Sequence, residues 1–294
     1  MLQTVSNTFS RCVCFLMIAT VVSCSSVPSF VSSEAAVELK PVAVNWQNPE
    51  VFEENKLPAR ASFFAFENMQ KALQNKQTNS SRFMSLNGDW LFLRSPNTAK
   101  HPQQFYQLDY TLDRIKTIEV PISPEFAGEG TPYYKNIDYV FPENQPFAPI
   151  DYNPVNAYVK FVEFDKKWLD MRTVLHIGAI NSAAYVWVNG KYVGYTQGSK
   201  LPTEFDISAF LTKGKNKIAI KNIRWSDGSY LEDQDGWNTS GIERDVYVYA
   251  TPNTHIHDVS INASLDSTYK TGELIVAIDL AKSGRSENVR LSAR

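Results

Sequence analysis

Between Arg224 and Asp245 the chain reads RWSDGSYLEDQDGWNTSGIERD, which sets the carboxylates of Asp227, Glu232, Asp233 and Asp235 among the rings of Trp225, Tyr230 and Trp237. The segment is too polar for a buried strand and too aromatic for a solvated surface. Sugar sites use this pairing: rings stack on the C–H faces of a pyranose while carboxylates hold its hydroxyls. A long loop pinned by its aromatic residues against a neighbouring domain would have the same composition, and at this level both readings stand.

The elements that must position this segment are strands. From Trp46 to Ala250 short apolar–polar alternations are separated by turn residues, with no long helical periodicity. Ala184 to Val188 and Lys191 to Tyr195 flank Asn189-Gly190, a pair suited to the two positive-φ positions of a tight hairpin. Lys213-Gly214-Lys215-Asn216 turns into a strand over Lys217 to Ile223, and Asp245 to Tyr249 alternates Val and Tyr. Repeated short strands with polar turns predict an all-β fold, a jelly-roll β-sandwich over residues 45–252. The stretch from Pro142 to Pro154 is too rich in proline for a central strand and predicts a long ordered loop.

The two ends read differently. Arg11 precedes an apolar run from Cys12 to Val22 that is too short to span a bilayer, as in a secretory signal. Val21-Val22-Ser23-Cys24 resembles a bacterial lipobox, in which Cys24 is lipidated; an ordinary cleaved signal peptide is the alternative. Residues 1–24 are thus expected to be the signal and 25–44 a linker, giving an exported, periplasmic or outer-membrane lipoprotein that touches the membrane only through its anchor. All three cysteines (Cys12, Cys14, Cys24) lie in that signal, so stability of the body must come from a hydrophobic core. At the other end, His255 to Ala263, Glu273 to Leu280 and Val289 onward alternate like half-buried strands. An immunoglobulin-like sandwich takes about seven strands in roughly 100 residues, so residues 253–294 are expected to form an incomplete domain of that kind in a fragment of a longer protein. A net charge of −2 with both signs interspersed offers nucleic acid no electrostatic footprint. No metalloprotease motif, nucleophile elbow or phosphate-binding glycine loop is present. His255 and His257 share a strand face without further ligands.

Six stretches carry a resemblance: NWQNPEVFEENKLPAR from Asn45, SLNGDWLF from Ser85, TPYYKNIDYVFP from Thr131, NQPFAPIDYNP from Asn144, INSAAYVWVNGKYVGYTQGSKLPTEFDIS from Ile180, and the segment from Arg224. Together they resemble the N-terminal portion of the large, lactose-operon type β-galactosidases of glycoside hydrolase family 2. The resemblance implies a galactose-binding-like jelly roll, an immunoglobulin-like domain and a (β/α)8 barrel, with retaining hydrolysis by two glutamates about 5 Å apart. In that family both glutamates lie in the barrel, a unit of about 250 residues. No catalytic residue is therefore expected in this chain, which should be inactive alone.

The resemblance also implies site residues. Asp235 matches a carboxylate that holds galactose hydroxyls and a sodium ion, and Asn136 matches an amide on the sugar. Asn45, Asn48, the Val51 carbonyl, Gln197 and Asp227 match a magnesium position, an oxygen-only set suited to that ion. Asn45 stands where the family has an aspartate, which removes a charge. Ile122-Ser123-Pro124-Glu125 replaces a Ser-Asn-Trp segment, and Glu232 and Asp233 are assigned to loop hydrogen bonds. The partners implied are a galactoside and the barrel, in cis or in trans, with homo-oligomerisation of the complete enzyme left open. A stand-alone, non-catalytic carbohydrate-binding lipoprotein built on the same jelly roll is the alternative.

Overall fold

The computed structural model describes residues 44–111, 115–134, 139–232, 235–282 and 288–292. The signal segment with Cys24, the linker up to residue 43, and Asn136 lie outside these stretches. With strands numbered in chain order, one sheet runs β1 (Glu53–Glu54), β10 (Lys191–Thr196), β9 (Ala183–Val188), β12 (Gly214–Ile223), β6 (Val155–Phe164), β3 (Gly88–Ser95) and β4 (Lys116–Val120). A second sheet runs β11 (Thr203–Asp206), β7 (Arg172–Ile177), β15 (Val246–Thr251) and β2 (Phe83–Ser85). Three two-stranded pairs complete the set: β5 (Tyr133–Tyr134) with β13 (Trp237–Asn238), β8 (Ile180–Asn181) with β14 (Gly241–Ile242), and β16 (Thr254–Leu265) with β17 (Gly272–Lys282). Every ladder between them is antiparallel. The fold is the expected all-β sandwich.

The core forms where the two large sheets face each other. Trp90, Tyr158, Val186 and Ile220 of the larger sheet pack with Leu175, Ile177, Phe205, Val246 and Val248 of the smaller one. The outer face of the larger sheet is also covered. Phe105 and Tyr106 lie over Ala157, Val159, Trp187 and Ala219, with Tyr106 stacked flat on Trp187 at 4.7 Å and 7°. This second cover explains why β9 is apolar on both faces, and why β6 and β12 bury Ala157, Val159 and Ala219 on the face away from the core.

The Asn189-Gly190 hairpin joins β9 and β10 with both residues at positive φ, 52° and 78°. The Asn189 side chain also donates to Phe210 O (2.9 Å) and Asn216 Oδ1 (2.6 Å) and accepts from Lys217 N (2.9 Å), tying the hairpin to the entry of β12. That strand starts at Gly214, earlier than its alternation suggested, because the turn residues already pair with β6 from Phe164 onward.

Of the three strands expected after Pro252, two form the β16–β17 hairpin. Residues 288–292, at the third, have no strand structure. Alternation marks which residues could line a face, but a strand also needs a neighbour to take its backbone hydrogen bonds. On the hairpin, Ile261 and Val276 are cross-strand partners and both are exposed. The hairpin meets the body where Asp258 Oδ1 accepts from Ala61 N at 2.7 Å. His255 and His257 lie 6.5 Å apart, ring to ring, and His255 Nε2 sits 3.4 Å from Arg172 Nη1.

Candidate sugar-binding site

The segment from Arg224 folds over one end of the sandwich and divides its rings between inside and outside. Ser226 caps a 3-10 turn over Asp227–Leu231 through a reciprocal pair with Ser229, turning the chain back on itself. Trp225 and Tyr230 consequently point inward, into a cluster with Trp46, Phe141, Tyr195 and Ile223. They are core residues, which favours for these two rings the reading of a loop pinned by its aromatic residues. Their polar atoms and backbones organise the proline-rich loop: Tyr230 Oη donates to Phe147 O (2.9 Å) and accepts from Asn144 N (3.1 Å). Asn153 exchanges two hydrogen bonds with the Trp225 backbone, at 2.8 and 2.9 Å. That stretch forms no strand, as predicted.

Only Trp237 of the three rings faces solvent, at 55% exposure. In the β5–β13 pair it lies opposite Tyr134, their rings edge to face at 5.4 Å, and Phe126 packs edge-on against it at 5.9 Å. Both neighbours are also 55% exposed, so the three rings form an open aromatic wall. Asp235 stands at its border, with Oδ1 accepting a hydrogen bond from Tyr134 Oη at 2.6 Å. That bond raises the Tyr134 phenol above its ordinary range, which keeps it protonated as a donor. Strand alternation sends Tyr133 the other way, where its ring lies 5.0 Å from the Arg224 guanidinium. Asp235 was marked by the family resemblance. Tyr134 and Phe126 were not, and the only signal was that Tyr134 sits in the same TPYYKNIDYVFP stretch as Asn136.

A buried ionic network underlies the wall. Glu125, whose side chain is fully buried, lies 3.1 Å from Arg94 Nη2 and 3.2 Å from Arg224 Nη1. Its oxygens also accept from Ser240 N (2.9 Å) and Ser240 Oγ (2.7 Å). Arg94 reaches on to Asn156 Oδ1 (2.9 Å) and Arg224 Nη2 donates to Thr131 O (2.9 Å) and Asn238 O (3.0 Å), the chain segments that lead into β5 and out of β13. Burial pushes the Arg224 pKa down, opposed by the Glu125 charge. The unusual segment after Val120 thus supplies the anion that holds two arginines beneath the site.

The magnesium-type residues assemble at a neighbouring corner. The 3-10 turn Asn45–Gln47 packs against the turn Asp227–Leu231. Gln197 Nε2 donates to Asp227 Oδ1 (2.7 Å), and Gln197 N donates to Phe52 O (2.9 Å), next to Val51. Val51 N and Glu50 N turn back to Asn48, onto its carbonyl (2.9 Å) and its Oδ1 (3.2 Å). Asp227 is the only carboxylate of the set, and among the described residues no group of three His, Cys, Asp or Glu gathers as a metal site. One carboxylate with neutral oxygens around it is the donor type a hydrated magnesium ion takes, and here Asp227 Oδ1 is engaged by Gln197. Asp235 Oδ2 has no hydrogen-bond partner among the described residues. Burial raises the nearby Glu232 carboxyl, against the pull of Ser199 and Lys200.

Residues 83–252 match the family described as "Glycosyl hydrolases family 2, sugar binding domain". A β-galactosidase of Priestia megaterium (strain DSM 319 / IMG 1521) is 40% identical over 237 residues, 79% of this chain and 23% of that protein. A β-galactosidase of Pectobacterium atrosepticum is 38% identical over 252 residues, 85% of this chain and 24% of that protein. The chain therefore spans about a quarter of the length of these curated relatives. Among solved structures, a calcium-binding mutant of Bacteroides uniformis β-glucuronidase 2 matches with a TM-score of 0.54 at 18% identity, covering 69% of this chain and 22% of that one. A β-glycosidase from Bacteroides vulgatus matches at 0.52 and 19%, covering 69% and 25%. At these identities the two structures speak for the fold alone. The sequence match, carried on the sandwich that presents Asp235, establishes that the chain belongs to glycoside hydrolase family 2 and contains its sugar binding domain.

Proposed function

We propose that the chain supplies one wall of a β-galactosidase active site, in which Asp235 and Asn136 hold hydroxyls of a terminal β-D-galactoside while a barrel opposite performs retaining hydrolysis. The observation that carries this reading is the Asp235 carboxylate on an open aromatic wall, with one oxygen engaged by Tyr134 at 2.6 Å and the other left for a ligand. Both curated relatives bear the name β-galactosidase, which supports galactose as the sugar. A hydrogen bond from a hydroxyl to a carboxylate is charge-assisted, so one aspartate can fix the orientation of a pyranose. Sodium at Asp235 and magnesium near Asp227 belong to the same proposal. There they would supply fixed positive charge beside the sugar and under the loop from Arg224.

The chain alone should not turn over a chromogenic β-galactoside, and release of chromophore above a protein blank would refute that part. Asp235→Asn should leave the thermal midpoint within about 2 °C of wild type, since the side chain is exposed. When the chain is joined to a relative's barrel, the same change should lower galactoside turnover more than tenfold, given about 1.5–3 kcal/mol for a hydrogen bond to a charged group. Wild-type kinetics and sodium response in the joined Asp235→Asn protein would sink the assignment. Export with a lipid on Cys24 is part of the proposal as well; a Cys24→Ala variant that fractionates with membranes as firmly as wild type would exclude the anchor.

A further inference from the structure

We infer that Tyr134 is the positioning residue for Asp235: its phenol clamps one carboxylate oxygen so that the other is presented to the sugar. This rests on the reading of Asp235 as a sugar contact and names the residue that makes the contact directional.

An exposed aspartate at the end of a loop has a broad range of carboxylate orientations, because its terminal torsion has no sharp minima. Here that freedom is removed from outside the loop. Tyr134 Oη donates to Asp235 Oδ1 at 2.6 Å, in the range of charge-assisted bonds. The phenol is itself held. Backbone pairing sets Tyr134 opposite Trp237, the Trp237 ring stands edge to face against it at 5.4 Å, and Phe126 backs Trp237 at 5.9 Å. Below, the guanidinium of Arg224 bonds the backbone at Thr131 and Asn238, which fixes the distance between the two short strands. Asp235 Oδ1 is thereby committed, and Oδ2 has no hydrogen-bond partner among the described residues. A carboxylate with one oxygen satisfied by the protein and one open is a directional acceptor for a single hydroxyl. Each of the three aromatic side chains is about half exposed, so the clamp adds little to folding.

The test uses the chain joined to a relative's barrel, with D-galactose as a competitive inhibitor of chromogenic galactoside turnover and its inhibition constant as the readout. Tyr134→Phe keeps the ring and removes the donor. It should weaken galactose binding about three- to tenfold, the range of a net hydrogen bond, with no change in thermal midpoint. In the Asp235→Asn background the same substitution should cause no further loss, because its whole effect runs through Asp235. If Tyr134→Phe binds galactose like wild type while Asp235→Asn does not, or if the two losses add, the positioning role is overturned and Asp235 remains a sugar contact. If galactose inhibits the joined Asp235→Asn protein as strongly as wild type, the reading of Asp235 fails, and the inference with it.

Discussion

Replacing Glu125 by glutamine tests whether the buried network beneath the aromatic wall is an ionic scaffold. Arg224 and Glu125 have no exposed side-chain surface and Arg94 keeps 13%. The two guanidinium groups therefore depend on one carboxylate for charge balance. Glutamine preserves the shape and can still accept from Ser240, but it removes the charge and replaces one acceptor with a donor facing cations. Breaking a buried ion pair from one side costs about 3–5 kcal/mol, mostly the penalty of the charge left behind. At about 2–4 °C per kcal/mol for a domain of this size, the thermal midpoint should fall by about 6–20 °C. An exposed pair provides the contrast: Lys116, 64% exposed, meets Glu129 at 2.5 Å, and Lys116→Ala should cost less than about 1 kcal/mol. Urea unfolding followed by circular dichroism gives both numbers. Adding Arg94→Met to Glu125→Gln should recover part of the loss, because one uncompensated cation is then gone. A Glu125→Gln protein within about 1 kcal/mol of wild type would refute the ionic account.

Two further outcomes follow from other clusters. Burial alone would raise the Glu204 carboxyl, but hydrogen bonds from His176 (2.9 Å) and Arg60 (2.9 and 3.0 Å) overcome it and hold the group at about 2, against an ordinary 4.5. A depressed carboxyl contributes stability above its unfolded pKa and loses it as pH falls toward the folded value. Wild type should therefore exceed Glu204→Gln by about 3 kcal/mol at neutral pH, with the gap closing between pH 4.5 and about 2; a gap independent of pH in urea titrations would contradict this. Magnesium at ~100 times its dissociation constant should stabilise the chain by about 2.7 kcal/mol, and chelation should reverse this. Asp227→Asn should abolish the response in calorimetry, and an undiminished response would move the ion elsewhere.

Short-range steric signals were readable from the residues in order. Asn189-Gly190 marks its hairpin because two successive positive-φ positions admit few other pairs, and prolines between Pro142 and Pro154 exclude a ladder wherever they fall. Alternation likewise located most strands, and the polar, aromatic composition after Arg224 marked the segment that carries Asp235. Which ring faces which way could not be read that way. Trp225, Tyr230 and Trp237 are equivalent in composition, yet two enter the core and one lines the wall, because the capped turn at Ser226 directs the first pair against residues far along the chain. The third terminal strand shows the same limit from the other side, since alternation after Val289 met no ladder partner among the described residues. Glu125 is the sharpest case. By sequence it is an acidic residue in a polar turn; only the closure of β3, β5, β12 and β13 around it places Arg94 and Arg224 within 3.2 Å and makes one charge the support of the site. Backbone preferences act between neighbours and are written residue by residue, whereas burial and charge pairing are set by surfaces that meet only once the sheets have packed.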